Sequence, residues 1–228
     1  MIGDAPLLRI NRRFTRPPAD LVAAFKGTQT GHAVDAMDGA GAMDAAIAPL
    51  AFRDDVMVGV AVTSQSGPCD NLGLFASLDL LEPGDVLIAS ADAYVGAAIT
   101  GDLLMGMARN LGAVGFVTDG AVRDRAGLLK VGLPIYSAAL TPNSPARNGP
   151  GTAGFPVVVG GVAVASGDLV IGDADGVVII PQARIEATLK GVEAVRAAEA
   201  EMEAKVNDGL GVPDFIKAIL ESERTIEA

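Results

Sequence analysis

The chain has 228 residues, of which half are hydrophobic, only 4% are aromatic and 28 are glycine. This length fits one large domain over 1–228, or one domain with terminal extensions, and the composition predicts a core filled by small aliphatic side chains. The net charge of −11 argues against nucleic-acid binding through a broad basic face, because a negative surface repels a phosphate backbone.

The single cysteine and the spacing of the charges bear on where the protein works. Cys69 cannot form an intrachain disulfide, and we interpret it as a small buried residue of a cytoplasmic protein. Residues 1–14 have no long apolar stretch before their charges, so we expect no signal peptide. The mean hydropathy of +0.40 is high, but Asp85, Asp92 and Asp102 interrupt the most apolar stretch, so we expect no membrane span.

In the first half of the chain, the apolar patterns predict strands that alternate with helices. The predicted helices cover 17–26, 28–38, 72–80, 103–110 and 126–131. The predicted strands cover 56–64, 86–90, 115–120 and 133–139. Alternation of this kind is typical of a layered α/β domain.

The second half of the chain has a different character. A long loop over 141–154 is followed by residues 155–181, where three apolar strands separated by glycine-bearing turns predict a β-meander. An alanine- and glutamate-rich helix is predicted over 182–207, and a last helix over 213–222. We therefore expect more than one sheet, with a helical tail.

The stretch from residue 100 to residue 124 carries the chemistry. Thr100 is predicted to cap a helix, and Asp102 stands in its first turn, where a carboxylate suits the positive end of the helix dipole. The backbone N–H groups of Leu103 and Leu104 have no acceptor inside that helix, so they can bind a small anion.

Arg123 and Asp124 follow the next predicted strand. Arginine offers a planar fork that matches a carboxylate, and aspartate offers a hard oxygen ligand for Mg²⁺ or Mn²⁺. A 2-oxo acid has a carboxylate and a carbonyl group that such a pair could bind. An exposed ion pair in a surface turn is the alternative, since Arg53-Asp54 is a second such dipeptide in this chain.

The spacing of these residues resembles the D-x20-R-D motif of 4-hydroxy-4-methyl-2-oxoglutarate aldolases, since Asp102 is followed after twenty residues by Arg123-Asp124. These enzymes belong to the superfamily named after the regulator of ribonuclease activity A, and the resemblance covers roughly 34–184. Further segments match in order and spacing: Gly84-Asp85-Val86, Gly101-Asp102-Leu103-Leu104, Asp119 to Asp124, Gly160-Gly161-Val162, Gly167-Asp168 and Asp173 to Val177 before Pro181.

The resemblance implies a role for each matching residue of the motif. Asp124 is expected to be the direct ligand of a divalent cation, Mg²⁺ or Mn²⁺. Arg123 is expected to bind the pyruvyl carboxylate and to support an enolate during catalysis. Asp102 is expected to act in catalysis by holding water molecules that are bound to the metal.

The resemblance also implies substrate contacts outside the motif. The backbone of Leu103 and Leu104 is expected to meet the substrate carboxylate. Asn71 is expected to contact the substrate, and Asp70 to brace the loop that carries it.

Fold and assembly follow from the same resemblance. It implies a three-layer α/β/β sandwich like that of the swivelling phosphohistidine domain. It also implies a homotrimer or a dimer of trimers with active sites between subunits, where an acidic residue of the C-terminal helix reaches the neighbour's site. Glu199 is the candidate, with Glu201 and Glu203 as rivals, and a solvated helix face is the alternative for each.

The predicted function is metal-dependent cleavage of a 4-hydroxy-2-oxo acid to pyruvate and a second oxo compound, with oxaloacetate decarboxylation as a side activity. One alternative is a non-catalytic binding protein of the ribonuclease-inhibitor type, and another is a lyase of the same mechanism acting on a sugar-acid-like substrate. Arg147 and Asn148 could contact a second carboxylate, although a solvent-facing loop is the preferred interpretation. His32, the only histidine, is expected to be structural or on the surface.

Overall fold

A computed structural model of the protein describes residues 6–226, in which helices flank two layers of β-structure. Residues 1–5, where the stretch examined for a signal peptide begins, lie outside the described part. The strands are β1 (Leu8–Ile10), β2 (Ala48–Pro49), β3 (Met57–Ser66), β4 (Asp85–Ser90), β5 (Ala98–Thr100), β6 (Gly115–Val122), β7 (Ile135–Leu140), β8 (Gly151–Ala153), β9 (Val157–Val159), β10 (Val162–Val164), β11 (Leu169–Asp173) and β12 (Gly176–Ile180). The helices are α1 (Ala19–Ala23), α2 (Thr30–Asp35), α3 (Leu72–Ser77), α4 (Asp102–Asn110), α5 (Arg125–Val131), α6 (Ile185–Asn207) and α7 (Asp214–Leu220).

Four parallel strands form the centre of the larger sheet. β3, β4, β6 and β7 lie side by side in that order, with Val60 opposite Asp85 and Phe116 opposite Ile135. Parallel neighbours need a crossover, and α3, α4 and α5 supply the three crossovers. These helices pack on one face of the sheet, because their apolar residues join a common core with the residues of the strands.

Alternation along each strand separates two cores. On β4, Leu87 and Ala89 face the helices, whereas Val86 and Ile88 face a second core that is shared with β9 to β12. β11 pairs antiparallel with β3, and the β11–β12 hairpin folds over this second face. The outer side of the hairpin, with Ile171, is covered by residues of the N-terminal helical region and of α6. The predicted α/β sandwich is thereby confirmed.

The meander predicted over 155–181 is wrong in its connectivity. Four short strands are present instead of three: β9 and β10 form a separate two-stranded sheet, and β11 and β12 belong to the large sheet. Asp168 fixes the corner between the two hairpins, since its carboxylate accepts hydrogen bonds from the backbone N–H groups of Ala165 (2.8 Å) and Gln182 (2.9 Å). This corner turns the chain from one sheet into the other.

The remaining elements agree with the sequence in kind and differ at their ends. The predicted helices of the C-terminal tail are α6, preceded by a 3-10 turn at Gln182–Arg184, and α7. A second 3-10 turn, Leu78–Leu80, ends the helical segment that begins at α3. Among the described residues, no helix is both long enough and apolar enough to cross a membrane.

Candidate active site

Two parallel strands deliver the predicted site residues to one place. β5 pairs with β6, so that Thr100 lies opposite Val122, and the N–H of Arg123 donates to the carbonyl of Thr100 at 3.0 Å. Both strands end here, and each is followed directly by a helix. The segments that follow them therefore lie side by side at the carboxyl end of the sheet, where α/β proteins bind their ligands.

The first of these segments is the start of α4. Gly101 is the N-cap residue, and the first backbone bond of the helix runs from the N–H of Met105 to the carbonyl of Gly101 at 3.2 Å. The prediction that Thr100 caps this helix is wrong, because Thr100 is the last residue of β5 and its hydroxyl donates to the Gly101 carbonyl at 3.3 Å. With no side-chain cap, the N–H groups of Leu103 and Leu104 face outward for an anion.

The second segment is the turn from β6 into α5. Asp124 is the N-cap residue of α5 and has a left-handed backbone (φ 58°, ψ 42°), a conformation that aspartate tolerates better than most residues. Its side chain makes no capping hydrogen bond. Instead, one carboxylate oxygen lies 3.3 Å from Nε of Arg123, with both side chains partly exposed. The turn thus presents the carboxylate of Asp124 outward beside the guanidinium of Arg123.

Close approach of the two segments depends on Gly101. A Cβ atom at this position would lie 3.2 Å from Cγ of Arg123 and 3.3 Å from Cγ of Asp124, and closer still to a carboxylate oxygen. Any side chain here would therefore push the Arg123-Asp124 pair away from the start of α4. The sequence signal for this requirement is a glycine immediately before Asp102.

Asn71 forms a buried part of the pocket wall. It is only 3% exposed, and its Nδ2 donates to the carbonyl of Ile99 at 3.0 Å. Its Oδ1 is buried and has no hydrogen-bond partner among the described residues. A buried amide oxygen without a donor costs free energy, so a ligand that offers a donor at this place gains an interaction.

Asp70 braces the loop that carries Asn71, as expected. Its carboxylate accepts hydrogen bonds from the backbone N–H groups of Leu72 (2.8 Å), Asn148 (2.6 Å) and Gly149 (3.0 Å). The neighbouring Cys69 is exposed and has a left-handed backbone, so the prediction of a buried cysteine is wrong. Cys69 is exposed because it lies in the loop after β3 and not in the strand itself.

The two segments and Asn71 line one pocket of about 240 Å³. It contains all the predicted site residues except Glu199, together with residues that the sequence did not single out. The lining residues are Asn71, Phe75, Thr100, Gly101, Asp102, Leu103, Leu104, Met107, Arg123, Asp124, Pro145 and Arg147. The volume suits a small organic acid.

Glu199 does not line this pocket. It stands on α6, and its carboxylate contacts Nε2 of His32 on α2. His32 therefore contacts the acid that was the candidate for the neighbouring site. Of the two rivals, Glu201 is exposed and pairs with Lys205, and Glu203 is exposed on the same helix.

Acidic ligands are few at this site. Within residues 6–226, no group of three or more His, Cys, Asp and Glu side chains could hold a metal ion. Asp102 and Asp124 are the two carboxylates among the described residues that line the pocket. The chain by itself thus places two carboxylates at this pocket.

The family model described as Aldolase/RraA, of the RraA-like family, matches residues 30–179. A protein of Halalkalibacterium halodurans named "Putative 4-hydroxy-4-methyl-2-oxoglutarate aldolase" is 35% identical over 191 residues, which are 84% of this chain and 90% of that protein. These two similarities cover the entire pocket.

Solved structures with the same fold include proteins of two other bacteria. An uncharacterized protein from Pseudomonas syringae pv. tomato is 23% identical, with a TM-score of 0.77 over 87% of this chain and 93% of that one. RraAS2 of Streptomyces coelicolor, described as an unusual member of the RNase ES inhibitor RraA protein family, is 26% identical, with a TM-score of 0.73 over 84% of this chain and 100% of that one.

Proposed function

The chain belongs to the RraA-like family of aldolases and RraA proteins, and from the chemistry of its pocket we propose that it is a divalent-metal-dependent lyase. It cleaves a 4-hydroxy-2-oxo acid, such as 4-hydroxy-4-methyl-2-oxoglutarate, to pyruvate and a second oxo compound. The observation that carries the proposal is the convergence of Asp102, Arg123 and Asp124 on one pocket.

The residues present fit a hard divalent cation. Asp124 offers a carboxylate that its own helix does not use as a cap, and Asp102 lies across the same pocket. Carboxylates and water are the ligands that Mg²⁺ and Mn²⁺ prefer. In the proposal, Asp124 binds the metal directly and Asp102 holds its water ligands. When bound, the cation supplies Lewis-acid stabilisation of negative charge on the 2-oxo oxygen.

The substrate carboxylate is placed by the start of α4 and by Arg123. The unpaired N–H groups of Leu103 and Leu104 and the positive end of the helix dipole favour an anion at this position. Arg123 stabilises the negative charge that develops on the pyruvyl part when the bond between C3 and C4 breaks. Asn71 lines the same pocket and contacts the substrate in this proposal.

Cleavage requires removal of the proton from the C4 hydroxyl. The electron pair of the C3–C4 bond then moves into the pyruvate enolate, and a proton returns to C3 to give pyruvate. Histidine is absent from the residues that line the pocket, since His32 lies at the interface of α2 and α6. We therefore assign the proton transfer to water next to the carboxylate of Asp102. Oxaloacetate would lose CO₂ by the same enolate chemistry.

We further propose a homotrimer or a dimer of trimers in which Glu199 of one subunit completes the site of the next. Support comes from Leu103 and Met107 on α4 and from Leu111 directly after it, which are 79%, 47% and 44% exposed. These residues are four apart and form one apolar stripe, of which Leu103 and Met107 also line the pocket. An exposed stripe of this kind is typical of a subunit interface.

A non-catalytic regulatory protein is the second candidate, since RraAS2 shares the fold. The experiment that separates the two is release of pyruvate, coupled to lactate dehydrogenase, from 4-hydroxy-4-methyl-2-oxoglutarate and from oxaloacetate with Mg²⁺ and then with EDTA. We expect metal-dependent release from both. Release from oxaloacetate alone would retain the mechanism and point to a different aldol, such as a sugar-acid-like compound. No release from either by the folded, metal-loaded protein would contradict the lyase.

A further inference from the structure

The loop of residues 143–147 contributes to the pocket lining and is fixed on both sides. At one end, Asn143 accepts a hydrogen bond from the N–H of Ala98 (2.9 Å) and donates through Nδ2 to the carbonyl of Gly96 (2.8 Å). At the other end, the backbone of Ala146 is bonded to both Cys69 (2.6 Å) and Asn71 (3.1 Å). The loop therefore forms part of the wall of the pocket and is not a free excursion into solvent.

Arg147 stands on this loop and lines the pocket. Its guanidinium lies over the ring of Phe75, 5.1 Å from the ring centroid, and Phe75 lines the same pocket. Stacking uses the face of the guanidinium and leaves the in-plane N–H donors available. Among residues 6–226, no carboxylate lies within ion-pair distance of Arg147. Its charge is thus positioned by an aromatic ring and is not neutralised.

The pocket accordingly contains two arginines with different surroundings. Arg123 contacts the carboxylate of Asp124 and the hydroxyl of Ser144. Arg147, three residues after Ser144 on the same loop, lies with Phe75. A ligand whose first carboxylate meets Arg123 and the start of α4 occupies the same pocket as Arg147, whose guanidinium is available to a second carboxylate.

We propose that Arg147 binds the distal carboxylate of the substrate and so selects 2-oxo dicarboxylic acids over 2-oxo monocarboxylic acids. This inference rests on the proposed function for the identity of the substrate, but it concerns binding and can be measured without turnover. A bidentate contact between arginine and carboxylate is strong and directional. An analogue without the second carboxylate lacks this contact and leaves the exposed guanidinium of Arg147 to solvent.

Binding of two small probes tests the proposal directly. Calorimetry with Mg²⁺ present compares 2-oxoglutarate with 2-oxobutyrate, which lacks the distal carboxylate. The wild-type protein should prefer 2-oxoglutarate, and Arg147→Met should reduce the ratio of the two affinities by about 10- to 100-fold, the loss expected for one charge-assisted contact. Arg147→Lys should fall between them, because lysine keeps the charge and loses the fork.

Arg9→Met is the matched control. Arg9 also lies over an aromatic ring, that of Phe155, at 5.0 Å, but neither residue lines the pocket. The substitution removes the same charge and the same type of stacking. The ratio of affinities should stay at its wild-type value in this variant.

A kinetic experiment separates this role from a structural one. The kcat/KM for cleavage of 4-hydroxy-4-methyl-2-oxoglutarate is compared with that for exchange of the methyl protons of pyruvate in D₂O, since pyruvate has no distal carboxylate. In Arg147→Met, the ratio of the two should fall by about 10- to 100-fold. An equal loss in both reactions, or an unchanged ratio of probe affinities, would overturn the assignment. A wild-type protein that prefers 2-oxoglutarate but catalyses neither reaction would refute the proposed function and leave the role of Arg147 in place.

Discussion

The carboxylate of Asp102 lies directly against the backbone of Gly127. A Cβ atom at position 127 would lie 2.6 Å from Cγ and 2.7 Å from Cβ of Asp102, closer than real Cβ contacts allow. Gly127 is in the first turn of α5, three residues after Asp124. Gly101 makes the same kind of room for Asp124. Two glycines thus make room for the two acidic groups of the proposed metal site.

Gly127→Ala should weaken metal binding without unfolding the protein. The methyl group must displace Asp102 at its Cβ atom, so a simple side-chain rotation cannot relieve the clash. Displacing a residue that orients metal ligands typically reduces metal affinity by about 10- to 100-fold. Titration with Mn²⁺ by calorimetry or electron paramagnetic resonance measures the change.

Gly106→Ala is the control for that variant. Gly106 lies in α4, and a Cβ atom there would meet nothing within 4 Å. Alanine should therefore stabilise the helix by about 0.5–1 kcal/mol and leave Mn²⁺ affinity unchanged. Equal affinities in the two variants would contradict the role of Gly127.

Asp124→Asn should remove the metal and preserve the fold. Asparagine accepts the left-handed backbone of position 124 about as readily as aspartate does, and the exposed ion pair with Arg123 is worth about 0–1 kcal/mol. The loss of the anionic ligand should reduce Mn²⁺ affinity by more than about 100-fold, beyond the usual effect of an outer residue. Thermal unfolding without metal should change little.

Asp38→Asn provides the comparison. Asp38 has the same residue type and the same left-handed backbone, with φ of 59°, and it does not line the pocket. Its metal affinity and pyruvate release should match the wild type. If Asp124→Asn also matched the wild type in metal affinity, Asp124 would not be the ligand.

The sequence predicted the long elements of the fold and most of the pocket. β3, β4 and α4 carry strong local patterns, and the stretch from Thr100 to Asp124 contains the chemistry in one continuous piece. The short strands β1, β2, β5 and β8 were not predicted, because two or three residues hold too little periodicity. Their pairing comes from distant partners, as with Leu8 and Gly151.

The limits of prediction at the site have the same physical origin. β5 is the element that brings Asp102 next to Arg123, and its pairing with β6 is a tertiary contact. The position of Arg147 over Phe75 depends on hydrogen bonds that Asp70 makes across the chain. Threonine favours the N-cap position, but Thr100 pairs within β5, so the N-cap of the helix is Gly101. At this residue, strand pairing outweighs the local preference for helix capping.

Arg123→Ala should abolish cleavage and decarboxylation alike. The side chain is proposed to bind the pyruvyl carboxylate and to stabilise the enolate, so both kcat/KM values should fall by on the order of 10²- to 10³-fold or more. Exchange of the methyl protons of pyruvate in D₂O should fall in parallel. Arg53→Ala removes the arginine of the other Arg-Asp dipeptide, whose side chain pairs with Asp55 at the surface, and should retain full activity. Near-normal turnover by Arg123→Ala would refute the assignment.

Leu111→Glu should disrupt the proposed oligomer. Leu111 follows α4 at the end of the apolar stripe and does not line the pocket, so a carboxylate there would be buried without a partner in an interface, at a cost of several kcal/mol. Light scattering after size exclusion should then detect monomers, with pyruvate release lost as well. Leu220→Glu, at an exposed position of α7, should leave the mass unchanged. A wild-type chain that is monomeric at every concentration would refute the shared site.

Mixing two inactive variants should restore activity if Glu199 acts across the interface. Glu199→Gln keeps Asp124 intact, and Asp124→Asn keeps Glu199 intact. When equal amounts are dissociated and reassembled together, roughly a quarter of the sites in a cyclic oligomer combine one intact copy of each residue. Pyruvate release should therefore recover to about a quarter of the wild-type rate. Each variant reassembled alone is the control and should stay inactive. No recovery in a mixture shown by mass spectrometry to contain hybrids would indicate that Glu199 serves its own chain, where it contacts His32.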